Sequence, residues 1–167
     1  MPKAYAAMSY SSKGEAVPVG MLFMLTSYPR LDDSDEKAIF TFFLTTAPES
    51  ALEKLQVDRI PALGRYLVDC GLVLSGNLKM KGHYWLHCTP KGKKWLMDYY
   101  RDKCKLKPFP ASQSLPKDVL RTNDGRFFYS DEQRTELLVK EFDKLRVTKW
   151  TAIRSRTRKV GITNENF

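Results

Sequence analysis

The stretch "APESALEKLQVDRIPALGRYLVDCGLV", residues 47–73, constrains the fold of this chain more than any other. Ala51, Leu52 and Leu55 mark a short helix starting near Pro48, and Ile60, Leu63, Leu67 and Cys70 recur at helical spacing in a second. A tight turn must join the two. Gly71 follows as a C-cap, because a residue without Cβ enters the left-handed region cheaply. "LVL" then begins a strand, "SGN" turns it, and "LKMKGHYWLHCT" supplies more strand with Gly82 at a hairpin tip.

The flanks are read in the same way. Residues 1–16, small and polar, form a flexible N-terminal arm. "VPVGMLFMLTSY" is too short to span a bilayer and lacks a signal-peptide cleavage site, so a buried helix is expected. "DDSDEKAIFTFFLTT" offers Asp33 or Ser34 as N-cap, acids in the first turn and an apolar body, as a central buried helix would. After Pro90, Trp95, Leu96, Tyr99 and Tyr100 make one face of a helix ending near Lys105. "LKPFPASQSLPKD" is the expected connector, packed through Phe109, and Ser130 with Gln133 makes a capping box that opens a final helix.

The order helix, short helix, turn, helix, Gly-Leu-Val, hairpin, Thr-Pro-Lys-Gly, helix resembles a winged helix-turn-helix domain of the MarR, ArsR and PadR kind. The likeness is carried by "RYLVDCGLVL", "NLKMKGHYWL" and "LHCTPKGKKWL" and covers about residues 34–104. It implies an α+β fold, mainly helical, with a β-hairpin wing and a basic C-terminal helical extension. The expected divisions are an arm at 1–16, a winged helix at 17–106, a Pro-rich connector at 107–129 and the extension at 130–167. The resemblance implies a recognition helix in the major groove and a hairpin on neighbouring phosphates. Arg59 and Arg65 would read the groove, and Lys79, Lys81 and His83, alternating along the wing, would meet phosphates with Lys91 and Lys93. Two residues depart from the pattern. Pro61 is tolerable in a first turn. Gly64 costs about 1 kcal/mol against alanine in a helix interior, so it either admits a close backbone approach or marks a helix that does not read bases.

Charge points the same way. Residues 1–75 hold seven Lys/Arg against nine Asp/Glu, and residues 76–167 hold 21 against ten, so the surplus of positive charge is confined to one half. Phosphates reward such clustering through counterion release. Lys149, Arg154, Arg156, Arg158 and Lys159 around Trp150 form a second contact, either a backbone-tracking arm or the wet face of a helix packed through Trp150. Double-stranded DNA is the expected partner; an RNA or a protein partner is the alternative, and a homodimer through "VGMLFML" or "WLMDYY" is open to the chain.

Chemistry is not expected. No glycine-rich phosphate loop or nucleophile elbow is present, and no cofactor is implied. His83, His87 and Cys88 make a poor metal set, since four residues of strand hold the histidines roughly 13 Å apart. Cys70, Cys88 and Cys104 are an odd, unpaired number, which suggests reduced thiols in a cytoplasmic protein without a membrane partner. The expected function is occupancy of DNA in transcription or replication initiation, or else a winged helix that engages polymerase, replisome or ribosome components.

Overall fold

The computed structural model describes residues 2–119 and 121–143. Its centre is a six-stranded mixed sheet in the order β1-β2-β3-β4-β6-β5: β1 (Pro2–Tyr10), β2 (Ala16–Pro29), β3 (Lys37–Thr46), β4 (Tyr84–His87), β5 (Lys107–Pro108) and β6 (Phe127–Ser130). The first three strands form an antiparallel meander, β4 returns parallel to β3, and β6 runs antiparallel to β4. Between β3 and β4 the chain crosses through α1 (Glu49–Lys54) and α2 (Leu63–Asn77). After β4 come α3 (Lys94–Asp98), which widens into a π-helical turn over Tyr99–Lys103, and, following β6, a helix α4 at 132–143.

The sheet is a layer between two cores. On one face α2 lays Leu67, Val68 and Leu72 on Leu22, Met24, Ile39, Tyr84 and Leu86, and α4 adds Leu138 and Phe142. On the other, Leu31, Ala38, Phe40, Trp85 and Phe127 are covered by Phe109 and Val119 from the long connection between β5 and β6. Trp85 stacks on Phe40 at 3.9 Å and donates its indole N–H to the Pro29 carbonyl at 3.0 Å.

This architecture overturns the mainly helical winged helix. The "buried helix" at 17–28 is β2, and the "central helix" is β3, whose Ala38, Ile39, Phe40 and Thr41 are all buried. β3 is covered on both faces over residues 38–41 and β2 bears apolar residues on its open face as well, so both are apolar without alternation, which is the composition of a buried helix too. The acids before β3 cap a turn instead: Asp33 Oδ1 accepts the Asp35 N–H at 3.0 Å. The expected arm is strand β1 over most of its length, registered along β2 from Pro2↔Leu25 to Tyr10↔Ala16.

Gly71 does not end its helix. It lies inside α2, where the chain passes so close to Tyr84 that a Cβ would fall 2.4 Å from the ring. The "LVL" strand is the continuation of α2, and the hairpin wing is absent: Lys79, Lys81 and Gly82 lie in a loop with positive φ (60°, 48° and 76°), and only Tyr84–His87 is strand. The connector contributes strands β5 and β6 and core side chains Phe109 and Phe127. The last helix begins as expected, but its N-cap is Asp131, whose Oδ1 accepts the Arg134 N–H at 2.8 Å; the Ser130 hydroxyl is buried against Thr135.

Candidate functional site

The sheet comes apart at one place. β3 and β4 pair only over Ile39–Thr41 and Tyr84–Leu86. Beyond that, β3 runs on to Thr46 bonded to β2, while β4, paired with β6 along its whole length, ends with His87 opposite Phe127 and the Cys88 N–H on the Arg126 carbonyl at 2.9 Å. A bulge sits at the parting. Phe23 faces Phe43 and Met24 faces Thr41, so Phe42 is an extra residue, and such insertions bend a strand out of its ladder. The parallel pairing therefore stops toward the carboxyl ends of the two strands, one residue before β4 itself ends, and leaves β3 running on alone on that side. Among the described residues, β3 has no strand beside it on the β4 side from Phe42 to Thr46.

The start of α2 stands at this end, since Gly20, the partner of Thr46, packs beneath Leu63 and Leu67. Its N-cap is Ala62 in the left-handed region (φ 59°), with no side-chain cap and no acid in the first turn. The Arg65 and Tyr66 amides both fold back on the Ala62 carbonyl, at 2.9 and 3.3 Å, and over 15 residues the aligned dipoles leave a positive end. Tyr99 covers part of it. A Cβ on Gly64 would lie 2.7 Å from the Tyr99 hydroxyl, which answers what that glycine is for: the close approach is to the helix after β4. The Tyr99 hydroxyl lies against the Cys104 sulfur. Burial lifts the Tyr99 hydroxyl far above its usual range and pushes the Cys104 thiol up to about 12, so both keep their protons at neutral pH.

The candidate DNA-binding residues divide between the two ends of the sheet. Arg59, in the link before α2, and Lys91 and Lys93, in the turn after β4, are exposed at the split, joined there by Lys94 and Trp95. Trp95, expected on the buried face of its helix, is 64% exposed. Arg59 has Glu49 at 3.5 Å. Arg65 is at this end too but is engaged inward, with its guanidinium 4.9 Å over the Phe142 ring and Glu141 at 3.6 Å. Lys79, Lys81 and His83 lie at the opposite end, about 22 Å away along α2. There Lys81 meets Glu36 at 3.4 Å. His83 lines a small hollow with Arg30, Asp32, Trp85, Phe109 and Asp131, where burial lowers its pKa. Lys149, Arg154, Arg156, Arg158 and Lys159 lie outside the described residues.

The sequence did not single out Phe42 or Phe43, which are 63% and 46% exposed beside the parting. A bulge leaves no mark on periodicity, so the "TFF" run gave no signal. A His–Asp pair was also missed. His87 Nε2 lies 3.0 Å from both Asp124 oxygens, and because Arg121 can only donate, Nδ1 accepts from it at 3.1 Å. With both ring nitrogens occupied and the ring stacked on Phe127 at 4.4 Å, this group clasps the 109–126 segment to the sheet and has no nitrogen left to act as a base. All three cysteines are free thiols, and among the described residues no three His, Cys, Asp or Glu side chains gather as metal ligands.

Comparison with protein-family models, curated proteins and solved structures found no match. Among the described residues, no helix is long and apolar enough to cross a membrane.

Proposed function

We propose that this chain is a ligand-binding α/β domain, and that the split between β3 and β4 takes an elongated, amide-bearing molecule ending in phosphate. The β3 edge left without a partner beyond Thr41 carries the reading. An unpaired strand edge favours a ligand that offers alternating amide donors and acceptors, as an added strand does. The acid-free start of α2, with Arg59, Lys91, Lys93 and Lys94 exposed at the same end of the sheet, favours an anion there. A phosphopantetheine arm has this chemistry, so coenzyme A is the probe. Calorimetric titration is expected to show binding of coenzyme A, at least tenfold weaker binding of dephosphorylated pantetheine, and a similar loss in Lys91→Glu/Lys93→Glu, about 1.4 kcal/mol. A folded protein that binds coenzyme A and pantetheine equally, or neither, refutes the reading.

A second reading rests on the charge of residues 76–167 and on Trp95 exposed among Lys91, Lys93 and Lys94. An aromatic face among cations suits single-stranded nucleic acid, whose bases stack and whose phosphates release counterions. Duplex DNA remains a partner on charge alone, without the recognition helix and wing that were to read it. Oligonucleotide binding that weakens steeply with salt, and that Trp95→Ala abolishes while coenzyme A does not compete, would favour this reading over the first.

A further inference from the structure

The two edges of the sheet are unlike. β5 is two residues long and ends on Pro108, which has no N–H to offer, so this edge is blunted against further pairing. β1 is nine residues long, and from Ala4 to Tyr10 it carries no charge, no proline and no glycine. It is also regular: Ala7 faces Gly20 and Met8 faces Pro18, so the irregularity in this ladder is an extra residue, Val19, in β2. Among the described residues no strand pairs with its outer side. An apolar shelf adjoins it on the face that α2 leaves open, where Ala4 lies beside Phe23, Ala6 beside Met21, and Phe43 packs edge-on to Phe23 at 6.0 Å. Met21 and Phe43 are 39% and 46% exposed.

We propose that β1 pairs antiparallel with β1 of a second copy of this chain, making one continuous sheet across a two-fold axis. A two-fold contact requires a surface that complements itself, and β1 does. Centred on Ala6, the pairing sets Ala4 against Met8, Tyr5 against Ala7 and Pro2 against Tyr10, small against large throughout. Lys3, the one charge in the strand, falls opposite Ser9 and not opposite itself. In a chain of net charge +9, an edge with a single charge is also where two copies repel least. The alanines at the seam leave room for Met21 and Phe23 to cover it from both sides.

Sedimentation equilibrium of the full chain over a concentration series tests this. The expected result is twice the chain mass. Ala6 is exposed, so Ala6→Lys is expected to keep the native circular dichroism and a cooperative melt while sedimenting as a monomer, because the two-fold sets the new lysines face to face. Mixing Ala6→Lys with Ala6→Glu is expected to restore the double mass. A monomeric parent chain, an Ala6→Lys protein that stays dimeric, or a mixture that fails to re-associate overturns the proposal.

Discussion

Replacing Gly71 by alanine tests the packing of α2 on the sheet at its tightest point. The added methyl would lie 2.4 Å from Tyr84 Cε2 and 3.3 Å from Met24 Sδ. Neither neighbour has room to retreat. Tyr84 and Met24 are each 1% exposed, and the Tyr84 hydroxyl is held by the Thr41 hydroxyl at 2.8 Å. Overpacking of this kind costs about 1–3 kcal/mol, and so severe an overlap belongs near the top of that range. Alanine regains about 1 kcal/mol of helix propensity over glycine. The net expectation is a loss of about 2 kcal/mol, or a Tm lower by about 4–8 °C for a domain of this size. Urea unfolding of the full chain measures it, and a double-mutant cycle with Tyr84→Leu, which deletes the clashing atom, should show coupling of about 1 kcal/mol or more. A Gly71→Ala protein as stable as the parent, or a loss that Tyr84→Leu leaves untouched, would refute the placement of α2. A glycine that ended its helix would give a loss uncoupled from Tyr84.

Three further outcomes follow from the same packing. Trp85→Ala, which empties the stack on Phe40 and orphans the Pro29 carbonyl, is expected to lose about 3–5 kcal/mol in denaturant melts; a loss under about 1 kcal/mol would contradict its burial. A chain ending at Tyr129 is expected to lack a cooperative melt, because Leu138, Phe142 and the Thr135 hydroxyl that donates to the Gly82 carbonyl at 2.6 Å all belong to the main core. The third concerns pH. Burial lowers the pKa of His83, so the unfolded chain takes up a proton first as pH falls. Stability from this residue is present above about pH 6.5 and is lost below it until the folded-state pKa is passed. His83→Gln should flatten the curve between about pH 7.5 and pH 5, and an unchanged curve would remove His83 as the cause.

What could be read from residue patterns was local, and what could not was pairing. The helical spacing of Leu63 and Leu67, the strand character of "YWLH" and the helix after Pro90 all stand at or near their expected places. Their order matches a winged helix because a helix, a strand and a helix in succession belong to many folds. The partner of β4 decides among them, and that partner is β3, more than 40 residues earlier. β2 and β3 read as helices because β3 is buried on both faces over residues 38–41 and β2 carries Met21 and Phe23 on its open face, so apolar residues run on without alternation in both, although the Phe and Thr content of "AIFTFFLTT" is a β signal. β1 was hidden by its alanines, which satisfy either face of a strand and so leave no alternation to see. The site was legible only as charge. Arg59, Lys91 and Lys93 do lie exposed at one end, but the unpaired β3 edge there follows from a bulge at Phe42 and from the point at which two parallel strands stop pairing, and neither is written in any one segment.

The central position of β4 also sets the order in which the molecule can be made. Its partners on the two sides lie roughly 45 residues away in each direction, so neither ladder forms as a local event. During synthesis the meander β1–β3 emerges first, and the edge of β3 that will meet β4 waits uncovered while α2 is made. The α2 face of the sheet is not closed until Phe142 has left the ribosome. From the emergence of β3 until that of β6, the nascent chain therefore presents a hydrophobic strand edge to its surroundings, the circumstance in which emerging chains aggregate or are held by chaperones.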